Sequence, residues 1–165
     1  MTPDDPRSGL GTPLRLLPLA ALLMFAGCAA DDAADAGVAF DSALAARLGA
    51  DQYGMRSYVV AFLKAGPTRD LDSATAAGLQ RAHLDNLVRL ADEGSLLLQG
   101  PFLDGGPLRG FYIFDATSIE QARELTETDP AIERGFLEME LRPWYGSAAL
   151  AEVYGIHRRI RRENP

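Results

Sequence analysis

Between Met55 and Arg142 the hydrophobic pattern switches back and forth between strand-like and helix-like spacing, and this alternation restricts the fold more than any other feature of the chain. Met55–Lys64 (MRSYVVAFLK) is rich in aromatic and β-branched residues and is apolar on both parities. In an extended chain Tyr58, Val60 and Phe62 face one way, and Val59, Ala61 and Leu63 the other. A strand apolar on both sides suits a sheet with helices on one face and a further cover on the other. After a loop containing Gly66-Pro67, Thr75–Glu93 carries Leu79, Leu84, Leu87, Val88 and Ala91 at helical spacing, and Gly94 is a natural stop. Ser95–Gln99 reads as a short strand ended by Gly100-Pro101, and Arg109–Asp115 (RGFYIFD) as a third. Ser118 is placed to cap a helix over Ile119–Thr128, with Gln121 where a capping box puts Glu or Gln. Asp129-Pro130 ends that helix or begins a further turn. Phe136–Arg142 (FLEMELR) is the last strand.

The order β-α-β-β-α-β predicts an α+β, ferredoxin-like domain: a four-stranded antiparallel sheet with two helices on one face. The open face, apolar in the first strand, is most simply covered by a second copy, so a homodimer through the sheet is expected. Residues 29–50, rich in Ala, Asp and Gly, read as a tether with a short helix near Asp41–Leu48, capped by Asp41 or Ser42. The domain is expected over residues 51–146, followed by a helix within Ser147–Ile160 and a basic, solvated end, Arg158–Arg162.

The chain has one cysteine, Cys28, directly after the apolar stretch Leu16–Ala26 and Gly27. That stretch rises only ~16 Å as a helix, short of a ~30 Å bilayer core. Arg7 and Arg15 before it and small residues around Cys28 fit an export signal. Ala26-Gly27-Cys28 resembles a bacterial lipobox, so Cys28 is expected to be acylated and to anchor the mature chain to membrane lipid. The expected location is the cell envelope, facing the periplasm or exterior. By resemblance to enteric lipoproteins, Ala29-Ala30 rather than an immediate acid favours the outer membrane. A net charge of −7 argues against nucleic acid as a partner.

Several short signatures fall on these elements. They are Arg81-Ala82-His83-Leu84 in the first helix, Glu93-Gly94 at its end and Leu98-Gln99-Gly100-Pro101 after the second strand. Gly110 enters the third strand, Asp129-Pro130 follows the second helix, Gly135 precedes the last strand and Arg142-Pro143-Trp144 follows it. In this order Tyr58–Trp144 resembles the YCII family of dimeric α+β-barrel proteins. The resemblance implies a ferredoxin-like protomer that dimerises through its sheet. It also implies a His and an Asp as the active pair, here His83 and Asp129. A few relatives eliminate halide from chlorinated aromatic breakdown products.

Read from the residues alone, His83 lies four residues after Leu79 and four before Leu87, on or beside the core-facing stripe. It is either a core histidine satisfied by a backbone carbonyl or a proton carrier. Asp129, extended before Pro130, either caps the next turn or turns inward to orient His83. Asp85, Asn86 and Asp92 read as ordinary solvated positions. Tyr58, Phe62, Phe111, Tyr112, Phe114 and Trp144 serve as core and interface or line an apolar pocket. Any of Arg56, Arg109 and Arg142 can hold a substrate carboxylate. Tyr58, Arg109 and Tyr112 are the expected substrate contacts. The loop Gly105-Gly106-Pro107 lacks the pattern of a phosphate cradle. No metal site is expected, since Val153 and Arg161 flank His157 at helical spacing. The expected function is a lyase or isomerase acting on a small ring or carboxylated substrate by acid–base chemistry. Such chemistry needs a base and an anion stabiliser and no cofactor. The alternative is a non-catalytic small-molecule-binding or envelope-interaction module.

Overall fold

The computed structural model describes residues 37–164; Cys28 and the apolar stretch before it lie outside the described residues. In chain order the elements are α1 (Ser42–Leu48), β1 (Met55–Ala65), α2 (Ser73–Asp92), β2 (Leu96–Pro101), β3 (Leu108–Phe114), α3 (Ile119–Glu127), α4 (Pro130–Glu133) and β4 (Leu137–Ser147). A 3₁₀ turn, Ala148–Glu152, and α5 (Val153–Ile160) complete them. The strands form a four-stranded sheet in the order β2-β3-β1-β4, antiparallel at every pairing. This is the α+β, ferredoxin-like arrangement expected from the alternating pattern.

Local chemistry sets the helix ends. Asp72 accepts hydrogen bonds from the Ala74 and Thr75 amides at 3.0 and 2.9 Å, opening α2, and Gly94 at φ 81° turns the chain out of it. Ser118 caps α3 through the Gln121 amide at 3.2 Å. Gln121 reaches back to the Thr117 amide at 3.0 Å, one residue before the cap, so the capping box is displaced by one position. β4 runs on through Pro143 to Ser147, beyond the expected end at Arg142. It is an edge strand, where a proline without an N–H is tolerated.

The main core lies between the sheet and the helices. Val59, Ala61 and Leu63 of β1, with Tyr112 and Phe114 of β3, meet Leu87, Leu90 and Ala91 of α2. Burying a side chain such as Leu90 is worth about 1.5–3 kcal/mol. The other parity of β1 and β3 faces away. There Tyr58, Leu97 and Ile113 are buried with Leu150 of the 3₁₀ turn against them, while Val60, Leu98 and Phe111 are half-buried. At the end of β1 the chain crosses the turn before β4 at close range. The Gly66 amide donates to Phe136 O at 2.9 Å, and a Cβ on Gly66 would stand 2.2 Å from Gly135 O. Only a residue without a side chain permits that approach.

Two expected boundaries are corrected. Residues 40–50 are not a free tether, because the folded unit begins at Phe40. Leu48 is buried, Arg47 pairs with Glu152, and Arg56 Nη1 donates to Leu48 O at 3.2 Å. The C-terminal segment is likewise docked. Tyr154 packs against the main core and donates its O–H to Asp92 at 2.9 Å, so Asp92 has a defined partner instead of only solvent.

Candidate active site

α2 and the turn opening α4 bring His83 and Asp129 together beneath the sheet. Asp129 is the N-cap of α4, held extended at φ −88° and ψ 116°, and Pro130 follows at the first helical position. There the missing proline N–H costs nothing. Asp129 Oδ1 accepts from the Ala131 amide at 2.9 Å, and Oδ2 lies 2.5 Å from His83 Nδ1. The two roles open for Asp129 in the sequence are therefore both filled, one by each oxygen. Both side chains are sealed from solvent, His83 at 3% exposure and Asp129 at 1%.

The third member is Tyr112. Its position on β3 points it toward the helices, and its hydroxyl stands 3.0 Å from His83 Nε2. With Asp129 ionised and the His83 ring neutral, His83 donates Nδ1–H to Asp129 and its Nε2 lone pair accepts the Tyr112 O–H. Burial, and after it the negative charge of Asp129, pushes the Tyr112 phenol well above the ordinary tyrosine range. The phenol therefore stays protonated as a donor through neutral pH. The chain Ala131 N–H, Asp129, His83, Tyr112 thus has a single direction of donation at the imidazole, the arrangement that prepares Nε2 as a base.

Neighbouring groups hold this chain in place. Asn86, one turn after His83, accepts at Oδ1 from Arg89 at 2.7 Å and from the Thr128 hydroxyl at 3.2 Å. Arg89 also donates to the Thr128 hydroxyl at 2.9 Å. These bonds tie α2 to the residue just before Asp129. Asn86 is buried, not solvated as expected from sequence.

His83 and Tyr112 line a cleft of about 700 Å³, a size suited to a small organic ligand. Of the expected substrate contacts, Tyr112 and Arg109 are there and Tyr58 is not. Tyr58 has the opposite parity on β1; its ring packs on the second sheet face, and its hydroxyl donates to Ser147 O at 2.9 Å. Of the three candidate arginines, Arg56 is engaged by Asp115 and Arg142 by Glu140. Arg109 reaches the cleft through an irregularity in β3. β1 pairs Leu63 with Gly110 and Lys64 with Leu108, leaving Arg109 without a β1 partner. A bulge of this kind re-aims a side chain.

Arg69, Gln99, His157 and Arg161 also line the cleft, and none of them is among the expected substrate contacts. Gln99 is findable, since β2 pairs it directly with Tyr112. Arg69 sits in a loop, and the other two depend on how α5 docks. His157 stacks on Tyr154, ring centroids 6.1 Å apart, so this part of the basic end is not simply solvated. Among the described residues no His, Cys, Asp and Glu cluster suited to a metal ion is present. Nor is any helix long and apolar enough to cross a membrane.

A ferredoxin-like sheet carrying a buried Asp–His–Tyr chain at the wall of an apolar cleft defines the class of protein. The chain belongs to the YCII-related domain family, which matches residues 57–145. A Bacillus subtilis (strain 168) protein, "Uncharacterized protein YjpA", is 36% identical to it over 62 residues, 38% of this chain and 71% of that protein. Among solved structures, it is similar to 5-chloro-2-hydroxyhydroquinone dehydrochlorinase (TftG) from Burkholderia phenoliruptrix AC1100, in complex with 2,5-dihydroxybenzoquinone. That likeness has 21% sequence identity and a TM-score of 0.41, and covers 53% of this chain and 92% of the other.

Proposed function

We propose that this YCII-related domain is an acid–base enzyme, a lyase or isomerase acting on a small carboxylated or ring substrate. The observation that carries the reading is the directional hydrogen-bond chain from Asp129 through His83 to Tyr112 at the wall of the cleft. His83 Nε2 removes a proton from carbon beside a carbonyl, and the C–H electron pair becomes the C=C bond of an enolate. The Tyr112 O–H turns from Nε2 to the enolate oxygen and stabilises its charge. Returning the proton to a different carbon isomerises the substrate. Expelling a leaving group from the next carbon, with its bonding pair, completes an elimination.

The test is solvent-deuterium exchange, followed by NMR, with the full chain and a panel of small ring ketones and keto acids. Exchange with at least one of them is expected, and its loss in His83→Gln, whose side-chain N–H can still donate to Asp129, with fold and size unchanged. Exchange at the wild-type rate in that variant rules the reading out. A second reading, capture of a small molecule without turnover, is favoured by one observation: Tyr112 already occupies Nε2 of a His83 that is almost fully buried. Tight binding with no exchange by any ligand selects it.

The same proposal places the domain at the bacterial cell envelope, held by acylated Cys28 and facing the periplasm or exterior, and paired through the second sheet face. The lipobox-like residues support the first part; a mature chain without a lipid-modified Cys28 by intact mass contradicts it. Half-buried Val60, Phe62 and Phe111 and Trp144, exposed at 41%, support the second. A monomer by light scattering at micromolar concentration contradicts it.

A further inference from the structure

The segment after the family domain is built into the cleft. The family match ends at residue 145, yet His157 of α5 and Arg161 just beyond it line the same cleft as His83 and Tyr112. Tyr154 fastens this segment from the core outward, and the Arg161 guanidinium lies over its ring, 5.6 Å from the centroid. Among the described residues no carboxylate forms an ion pair with Arg161 or with Arg109. Arg69, also at the cleft, sits over the Phe136 ring at 4.8 Å, likewise without an acid partner.

Three arginines thus line one concavity whose only acidic lining residue, among the described residues, is Glu163, on a chain whose net charge is −7. A locally cationic recess in an acidic protein concentrates small anions. Planar guanidinium groups match a carboxylate by paired, charge-assisted hydrogen bonds. The rest of the wall is largely apolar, with Leu63, Leu84 and Leu87 along it. Gln99, also on the wall, has a buried Oε1 without a hydrogen-bond partner, a seat for a hydroxyl or N–H donor.

We infer that α5 and Arg161 are part of the ligand site. Arg109 and Arg161 hold the anionic end of a small organic carboxylate whose apolar body reaches His83 and Tyr112. The inference rests on the acid–base reading only for where the reacting carbon lies; carboxylate selectivity stands apart from turnover. The experiment is calorimetric titration of the full chain with benzoate and hexanoate, each against its neutral amide, benzamide and hexanamide. Carboxylates are expected to bind about tenfold or more tightly than the amides. Arg161→Gln and Arg109→Gln are each expected to weaken carboxylate binding about tenfold and leave amide binding unchanged. Arg158→Gln, exposed on α5 and not lining the cleft, is expected to leave both unchanged. Equal affinity for carboxylate and amide, wild-type carboxylate affinity in Arg161→Gln, or no binding of any probe at millimolar concentration overturns the inference. Selective carboxylate binding without any deuterium exchange would instead sink the catalytic reading alone.

Discussion

Asp129→Asn is expected to lower turnover roughly ten-thousandfold while the domain remains folded. The reason is a forced choice at one side-chain amide. If the oxygen of the new amide keeps the bond from the Ala131 N–H, its NH₂ group faces His83 Nδ1. Two donors cannot share that contact, so the imidazole proton moves to Nε2, the atom that must accept. If the amide turns over, the oxygen meets Nδ1–H, but the NH₂ group then faces the Ala131 N–H at the cap of α4. Either way the wild-type arrangement, with one acceptor oxygen for each donor, is lost. Near-wild-type turnover in Asp129→Asn would show that the carboxylate does not set the direction of the imidazole.

His83→Leu is expected to cost about 3–5 kcal/mol of stability in urea denaturation. Leucine is close to histidine in volume, so packing loss is a minor part. What remains is a carboxylate with 1% exposure that keeps only the Ala131 amide as partner. A buried charge stripped of its partner is far more expensive than a buried pair. The double variant His83→Leu/Asp129→Asn is expected to be more stable than His83→Leu alone, because it removes the stranded charge. Two residues in direct contact do not act additively, and the cycle reads their coupling. A loss within about 1 kcal/mol for His83→Leu would mean that Asp129 does not depend on the imidazole to stay buried and charged.

Much of this site is legible in the sequence. Helical spacing puts His83 on the inner stripe of α2, and Asp129 before Pro130 is legible as an extended residue able to turn inward. Their meeting follows once both helices cross the same sheet face. The errors have specific causes. Tyr58 is expected at the ligand because β1 is apolar on both parities, and alternation alone does not say which side receives the helices. The direct link from Tyr112 to His83 needs the β1–β3 register, which spacing within one strand does not carry. Arg109 reaches the cleft through an irregularity that leaves it without a β1 partner. α1 and α5 look peripheral in the sequence because they are short, seven and eight residues, and lie outside the alternating strand–helix pattern. Leu48 and Tyr154 are the residues that dock them, and about two helical turns are too few to show which of their apolar residues face inward.

The position of the proton on the His83 ring decides which nitrogen is free to act as a base. Long-range ¹H–¹⁵N NMR of the histidine side chains in the full chain reads it directly. Neutral His83 is expected to carry its proton on Nδ1, toward Asp129, with Nε2 bare and accepting from Tyr112. A neutral ring with the proton on Nε2 and Nδ1 bare would contradict it.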